Sequence, residues 1–200
     1  MIKAIIFDLG GVIVNVDKTE QYKKFSADSN KPFSFIKDYL DTSYLKESFE
    51  KGRLNTAQFY SEISRELNLK MNFKNFKKEW CNIFALNKNV EKLIINLKRN
   101  FKLILLSNTD KLHFKYLKNK YKIINAFDAY VLSYEVGYRK PNLLIFSDAL
   151  KKAKTLPFNC IYIDDTPAFV CVAKLIGVKA FQYKNFNKLI YDLKNIGVFP

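Results

Sequence analysis

The chain has 200 residues, a length that predicts a single domain or one core with a smaller insertion. Hydrophobic residues make up 48% and charged residues 26%, which is ordinary globular usage and excludes disordered, collagen-like and low-complexity chains. The unusual quantity is the formal net charge of +15, from 34 Lys and Arg against 19 Asp and Glu, because such a charge attracts polyanions of any kind.

Short apolar segments alternate with helical patterns along most of the chain. Residues 2–7 are rich in β-branched side chains and are closed by Asp8-Leu9-Gly10-Gly11, which predicts a buried strand that ends in a turn. Four similar segments predict further strands: residues 101–106, 129–132, 160–163 and 178–183. Helical periodicity is present in three segments: residues 90–97, 145–150 and 169–176. This alternation predicts an α/β fold, a Rossmann-like parallel sheet flanked by helices, whose ligands bind at the carboxyl ends of the strands.

Residues 16–88 interrupt this alternation. They show no convincing strand, and their clearest helical stretches are residues 56–67 and 73–84. The second stretch carries one apolar stripe that is typical of the core of a helix bundle, formed by Phe73, Phe76, Trp80 and Phe84. The segment is therefore predicted to be a helical insertion after the first strand.

Polar residues follow three of the predicted strands. They are Asp8, the run Ser107-Asn108-Thr109 and the pair Asp164-Asp165, and Lys140 precedes a proline ahead of a predicted helix. Each one alone is typical of a helix cap or a turn, but the carboxyl ends of parallel strands meet at one edge of a sheet. Three carboxylates brought together there raise one another's pKa unless a cation neutralises them, and Mg²⁺ is a hard cation that prefers oxygen ligands. With a lysine and hydroxyl donors beside it, such a site suits phosphoryl transfer.

These segments resemble, in order, the four motifs of the haloacid dehalogenase-like hydrolase superfamily. They are residues 5–12, 105–109, 137–141 and 161–165. The helical insertion resembles the cap that this family places between its first two motifs, so the resemblance implies a Rossmann-like hydrolase core at residues 1–15 and 89–200 and an α-helical cap at residues 16–88. Within the superfamily, the opening at residues 8–10 and the run at residues 107–113 are most similar to the bacterial α-D-glucose-1-phosphate phosphatase group.

The resemblance also implies a role for each strand-end residue. Asp8 would be the nucleophile that forms an aspartyl-phosphate, and Lys140 would tie the phosphoryl group to it. Ser107 would hold the phosphoryl oxygens, together with the backbone or the side chain of Asn108. The ligands of Mg²⁺ would be Asp8, the Gly10 carbonyl, Asp164 and Asp165.

Two positions depart from the family pattern. Most phosphatases of the family carry a second Asp two positions after the nucleophile, as general acid and base, but this chain has Gly10 there. Its backbone can still bind a metal, whereas the missing side chain removes a proton-transfer group typically worth roughly 10²–10⁴-fold in rate. The similar subgroup also opens with Asp-Leu-Gly, so Gly10 is not interpreted as loss of the enzyme. Phe169 stands where the family often has Asn, and it is predicted to loosen the surroundings of the metal.

Two other residues are candidates for the missing proton-transfer role. His113, the only histidine, follows Ser107 closely and either supplies the proton or is a partly exposed residue in the first turns of a helix. Asp17, at the start of the insertion, is the second candidate.

The leading hypothesis is a Mg²⁺-dependent phosphatase acting on a small phosphorylated metabolite, a sugar phosphate or similar. The alternatives are a catalytically weakened binding or regulatory protein and a 2-haloacid dehalogenase, whose anionic substrate the pair Asp164-Asp165 would repel. Residues 89–200 hold 19 Lys and Arg against 8 Asp and Glu, and the lysines of residues 111–122 alternate with aromatic residues as in a nucleic-acid patch. A solvated helix face has the same pattern, so nucleic acid ranks below a small phosphorylated substrate.

The location is predicted from cysteine usage and apolar runs. Cys81, Cys160 and Cys171 form no closely spaced pair, which predicts neither a disulfide framework nor a zinc site and favours a reducing cytoplasm. No apolar run approaches the roughly 20 residues of a membrane span, and the N-terminal strand does not resemble a signal peptide. We expect a cytoplasmic protein without a membrane partner.

Overall fold

Residues 1–199, which the computed structural model describes, contain seven strands. They are β1 (Ala4–Phe7), β2 (Val14–Val16), β3 (Phe84–Leu86), β4 (Lys102–Ser107), β5 (Ala129–Leu132), β6 (Cys160–Asp164) and β7 (Lys179–Gln182). Five of them form one parallel sheet in the order β5-β4-β1-β6-β7. The predicted Rossmann-like α/β fold is confirmed, and all five predicted strands are present with ends shifted by no more than two residues.

Eleven α-helices accompany the strands in the same described range. They are α1 (Thr19–Ser29), α2 (Phe33–Thr42), α3 (Tyr44–Glu50), α4 (Thr56–Leu67), α5 (Phe73–Cys81), α6 (Lys88–Leu97), α7 (Lys111–Lys120), α8 (Ser133–Val136), α9 (Leu143–Ala153), α10 (Pro167–Leu175) and α11 (Phe186–Asn195). None of the described helices is long and apolar enough to cross a membrane.

The sheet is covered on both faces because its central strand is apolar on both. Successive side chains of a strand point to opposite faces, and the two faces of β1 belong to two different buried clusters. Ile5 and Phe7 pack with side chains of α6, α7 and α11, whereas Ala4 and Ile6 pack with side chains of α9 and α10. A strand buried in this way is held by hydrogen bonds to β4 and β6 on either side. The position of its carboxyl end, where Asp8 follows, is therefore fixed from four directions.

Helices α1 to α5 enclose a third buried cluster of their own. It is mainly aromatic, and the rings of Phe49 and Phe59 stack with their centroids 4.2 Å apart. Helix α4 has the predicted bounds because Asn55 and Gln58 form a capping box at its start. Phe76 and Trp80 of the predicted stripe are buried in this cluster. The exact boundaries of a separate cap at residues 16–88 stay a prediction.

The end of the insertion differs from the predicted helix. Helix α5 ends at Cys81, and Phe84 lies in β3, which pairs antiparallel with β2 so that Phe84 is opposite Val16. The expectation of no strand in residues 16–88 is therefore wrong for β3. Phe84 has the right spacing for the helical stripe, but it packs against the buried cluster that contains Ile5 and Phe7. Its ring also contacts the ring of His113, with centroids 4.9 Å apart. The strand pair carries the chain out of the core and back into it.

Candidate active site

The predicted site residues meet at one edge of the sheet. Asp8 directly follows β1, Ser107 ends β4 and Asp164 ends β6, and these three strands are neighbours. Carboxylate oxygens of Asp8, Asp164 and Asp165 all lie within 4.8 Å of one another. The sheet order thus brings together side chains that are far apart in the sequence.

Lys140 reaches into this cluster from the loop before α9. Its Nζ lies 2.7 Å from Asp8 Oδ1 and 2.6 Å from Asp164 Oδ2, and its side chain is only 1% exposed. Asp164 also accepts hydrogen bonds from the backbone N–H of Thr166, at 2.8 Å, and from the hydroxyl of Tyr162. One ammonium therefore faces two buried carboxylates, and the second of these is held in place by its own donors.

The three carboxylates of the cluster carry more negative charge than the single lysine neutralises. Burial raises the pKa of the Asp8 carboxyl to about 7, although the Lys140 ammonium lowers it, and the Asp164 carboxylate raises it again. Burial and the neighbouring Asp164 likewise raise the pKa of Asp165. Burial alone would lower the pKa of Lys140, but the carboxylates of Asp8 and Asp164 outweigh it and raise this pKa. A single lysine does not balance three carboxylates, so a divalent cation with oxygen ligands fits this donor set.

The glycine loop after β1 lets the chain pass close to the third carboxylate. Gly11 has a φ of +75°, which favours glycine, and a Cβ added there would overlap the side chain of Asp165. Gly10, in contrast, has no left-handed backbone, and an added Cβ would lie 3.4 Å from Val16 Cγ2 in ordinary contact. The close approach therefore depends on Gly11, while the space at Gly10 can take a side chain.

Asn108 and Phe169 both contact Lys140, the first through its backbone and the second through its ammonium group. The Asn108 side chain donates to the Lys140 carbonyl at 3.0 Å and accepts from the Lys140 backbone N–H at 2.7 Å. Both hydrogen bonds of this amide therefore fix the loop that carries Lys140. The Phe169 ring lies with its centroid 5.0 Å from Lys140 Nζ, a cation–π distance. The predicted loosening of the metal surroundings by Phe169 stays a prediction.

A cavity of about 170 Å³ opens beside Gly10, between the sheet edge and the helical insertion. Its sheet side includes Ser107 and Asn108, and its other side includes Lys18, Lys46 and Glu50. At about 30 Å³ per water molecule, this space corresponds to roughly six waters. Asp17 is exposed, and its carboxylate accepts a hydrogen bond from the backbone N–H of Thr19 at 2.9 Å. It therefore forms the turn at the start of α1.

His113 lines the same cavity, but both of its ring nitrogens have partners. Nδ1 lies 2.8 Å from the Asp110 carboxylate and Nε2 lies 2.7 Å from the Trp80 carbonyl. Both partners lie within hydrogen-bond distance, and these contacts join α7 to α5. This geometry favours a structural role for His113 over proton delivery.

Asp110 is a further buried residue of this junction that the motif reasoning missed. It accepts hydrogen bonds from Trp80 Nε1 at 3.1 Å and from the His113 backbone N–H at 2.8 Å. Burial would raise its pKa, but the His113 ring and these hydrogen bonds outweigh burial and hold the pKa of Asp110 below its usual value. The available signal was an Asp three positions before a histidine at a helix start, which is typical of a helix N-cap.

Arg139, Lys46 and Glu50 were also missed. Arg139 Nε lies 2.8 Å from Glu50 Oε2, and this ion pair joins the loop that contains Arg139 and Lys140 to α3. Lys46 and Glu50 are four residues apart on α3, which in the sequence indicates only an ordinary surface pair. No local pattern shows that this helix face is turned towards the sheet edge.

Comparison with known proteins identifies the class to which this arrangement belongs. A profile of haloacid dehalogenase-like hydrolases matches residues 2–171, which is most of the chain. The chain belongs to the haloacid dehalogenase-like hydrolase family. The predicted family and the predicted hydrolase class are confirmed.

Individual relatives cover nearly the whole chain. A D-ribitol-5-phosphate phosphatase from Bacteroides thetaiotaomicron is 27% identical over 197 residues, which are 92% of this chain and 93% of the relative. The crystal structure of a HAD family enzyme from the same organism, in complex with magnesium and inorganic phosphate, matches with a TM-score of 0.82 at 26% identity and covers 94% of this chain and 99% of that one. A protein from Porphyromonas gingivalis, predicted to be a HAD-like family hydrolase, matches with a TM-score of 0.84 at 26% identity over 97% and 98% of the two chains.

Proposed function

We propose that this protein is a Mg²⁺-dependent phosphatase that hydrolyses a small phosphorylated metabolite, a sugar phosphate or similar, through an aspartyl-phosphate. The observation that carries the proposal is the cluster of Asp8, Lys140 and Asp164 at the sheet edge, with contacts of 2.7 and 2.6 Å, next to a cavity that the neighbouring Gly10 and Ser107 line. The relative that acts on D-ribitol 5-phosphate and the relative that binds magnesium and phosphate support it. The finer resemblance to α-D-glucose-1-phosphate phosphatases stays a prediction.

The residues divide the reaction among them. An oxygen of Asp8 attacks the phosphorus while the bond from phosphorus to the leaving-group oxygen breaks, and water then cleaves the acyl phosphate to release inorganic phosphate and restore the carboxylate. Lys140, 2.7 Å from Asp8, orients the nucleophile and offers positive charge to the transferring oxygens. Ser107 and the backbone of Asn108 donate hydrogen bonds to the same oxygens.

The carboxylates of Asp8, Asp164 and Asp165, with the Gly10 carbonyl, would hold Mg²⁺. The fit rests on three carboxylates within 4.8 Å and on the raised pKa of Asp8 and Asp165 without a second cation. When bound, the metal supplies Lewis-acid charge that keeps the nucleophile ionised and screens it from the phosphate.

A second candidate function is a binding or regulatory protein on a weakened hydrolase scaffold. The observation that favours it is Gly10, which lines the cavity without a proton-transfer group, while both nitrogens of His113 have partners. The dehalogenase alternative is disfavoured, because Asp164 and Asp165 lie within 4.8 Å of the nucleophile and would repel a carboxylate substrate. The cytoplasmic location stays a prediction.

The test is phosphate release from a panel of monoesters, with Mg²⁺ and with EDTA. We expect the wild-type protein to release phosphate only with Mg²⁺, and Asp8→Asn to lower kcat by roughly 10³-fold or more because the nucleophile is lost. Asp148→Asn is the matched control, since Asp148 lies on α9 in a partly exposed pair with Lys151 at 3.2 Å. Equal release by the wild type and by Asp8→Asn would show that Asp8 is not the nucleophile. No release by either would favour the binding-protein function.

A further inference from the structure

The cavity wall that faces the sheet edge carries three charged side chains of the helical insertion and its entrance: Lys18, Lys46 and Glu50. Lys18 lies 2.8 Å from Asp41, and Glu50 Oε2 lies 2.8 Å from Arg139. Lys46 is different: within residues 1–199 it makes no hydrogen bond, and its one ion pair is the 4.0 Å separation from Glu50 Oε1. The Lys46 side chain is nevertheless only 20% exposed.

The Lys46 side chain is mostly enclosed, but no acceptor among the described residues lies within hydrogen-bond distance of its ammonium. Burial lowers the pKa of Lys46, and the Glu50 carboxylate offsets only part of this effect. Lys46 Nζ is not among the fully buried atoms that lack a partner, so it keeps access to the cavity and can donate to a ligand bound there. Lys46 shares the cavity with Gly10 and Ser107, where the phosphate ester would bind. The ligand atom beside Lys46 then belongs to the leaving group.

The separation of 4.0 Å between Lys46 Nζ and Glu50 Oε1 leaves room for one oxygen atom that contacts both. An oxygen about 2.8 Å from each of them, an ordinary hydrogen-bond length, fits between the two with an angle of roughly 90°. A hydroxyl can accept from the ammonium and donate to the carboxylate at the same time. A carboxylate has no proton to donate to Glu50, and both a carboxylate and a second phosphate would be repelled by its charge.

We infer that Lys46 and Glu50 together bind a hydroxyl group of the leaving group, and that the substrate class is therefore the phosphate monoesters of sugars or polyols. This inference rests on the phosphatase activity proposed above. The apolar part of the same cavity, with Val16, Ile83 and Phe84, packs against the carbon chain. Lys46 and Glu50 are in this way specificity-determining residues of the cap, separate from the phosphate-binding residues of the core.

The experiment compares two esters of equal carbon number, ribitol 5-phosphate and 1-pentyl phosphate, which has no hydroxyl groups. We expect Lys46→Met to lower kcat/KM for ribitol 5-phosphate at least about tenfold, the effect of one hydrogen bond to a charged group, and to change kcat/KM for pentyl phosphate less than about twofold. Glu50→Gln should act in the same direction. The controls are Lys74→Met, an exposed lysine of α5, and Glu47→Gln, which also pairs with Arg139, at 3.8 Å, but does not line the cavity.

A binding measurement separates this inference from the phosphatase proposal. In the Asp8→Asn background, calorimetry should show that ribitol 5-phosphate binds and that Lys46→Met weakens this binding about tenfold, whether or not the wild type turns over. If no variant hydrolyses any ester but Lys46 still controls binding, only the phosphatase proposal is overturned. If Lys46→Met lowers kcat/KM for both esters equally, or for neither, or if ribitol 5-phosphate does not bind, the inference is overturned. A preference for a leaving group with a carboxylate that Lys46→Met abolishes would also overturn it.

Discussion

The candidate site has two walls, the edge of the sheet and the facing side of α3, and they hold their charged groups in different ways. On the sheet side, Lys140 contacts Asp8 and Asp164 at 2.7 and 2.6 Å, and its side chain is completely enclosed. On the side of α3, Lys46 and Glu50 are 4.0 Å apart and partly exposed. The first arrangement is fixed by the folded core, whereas the second leaves hydrogen-bonding capacity for a ligand. The comparison indicates that the reaction chemistry is built into the core and that substrate choice depends on the insertion.

Removing Lys140 should destabilise the buried ion pairs at the edge of the sheet. In EDTA we expect Lys140→Met to lower the free energy of unfolding by roughly 3–5 kcal/mol, because it leaves two buried carboxylates without their counter-charge. Urea denaturation measures this change. Added Mg²⁺ should restore part of the lost stability, because it binds to the native carboxylates.

The matched control for this variant is Lys151→Met. Lys151 pairs with Asp148 at 3.2 Å, but its side chain is 74% exposed, so its removal should change the free energy of unfolding by less than about 0.5 kcal/mol. Equal losses in the two variants would show that the buried cluster contributes no more than a surface pair. The contrast between the two walls would then be a matter of geometry and not of energy.

The sheet side of this contrast was predictable from the sequence. A parallel sheet places the ends of β1, β4 and β6 at one edge, so Asp8, Ser107 and Asp164 had to converge once the strands were assigned. Local signals were also sufficient for α4, where Asn55 begins a capping box. What made these features predictable is that each depends on neighbouring residues or on strand order alone.

The side of the insertion was much less predictable. The helical spacing of Phe84 continues the stripe of α5, yet the residue pairs with Val16 in a strand because the chain has to return to the core. Lys46 and Glu50 have the spacing of an ordinary helix pair, and only the packing of α3 near Arg139 places them in a cavity wall. Contacts between residues so distant in sequence have no local signature.

The contact between α7 and α5 should weaken when Asp110 is replaced. We expect Asp110→Asn to lower the free energy of unfolding by about 1.5–3 kcal/mol at pH 6, because the buried charge-assisted contacts to His113 and Trp80 are lost. The pKa of Asp110 is depressed in the folded protein, so its contribution is fully present above the unfolded pKa near 3.9 and is lost as the pH falls through the folded pKa. The difference between wild type and variant should therefore shrink below about pH 4.

Chemical denaturation of both proteins from pH 7 to pH 2.5 measures this difference, with Asp148→Asn as the half-exposed control. A difference that stays constant down to the lowest pH would mean that Asp110 is held by packing and not by its charge. In that case the junction would resemble the apolar cluster around Phe59 more than the ion network around Lys140.

The smallest expected effect comes from filling the space between the two walls. Gly10 lines the cavity, its backbone suits any residue, and an added Cβ lies 3.4 Å from Val16 Cγ2. We expect Gly10→Asp to raise kcat at least about tenfold, because a carboxyl group there can protonate the leaving group and activate water. Single-turnover and steady-state phosphate release measure this gain.

Gly10→Asn has nearly the same shape as Gly10→Asp but cannot exchange a proton, so it separates proton transfer from filled space. If Gly10→Asp has a higher kcat than the wild type and Gly10→Asn does not, the native site lacks a general acid, and this lack makes the wild type a slow phosphatase. If neither variant is faster, another group already moves the proton, and Lys46, the cavity ammonium without a hydrogen-bond acceptor in the described chain, becomes the first residue to test. A loss of the Gly10→Asp gain on adding Lys46→Met would then place the two walls in one proton path, whereas independent effects would keep chemistry and substrate choice on separate sides of the cavity.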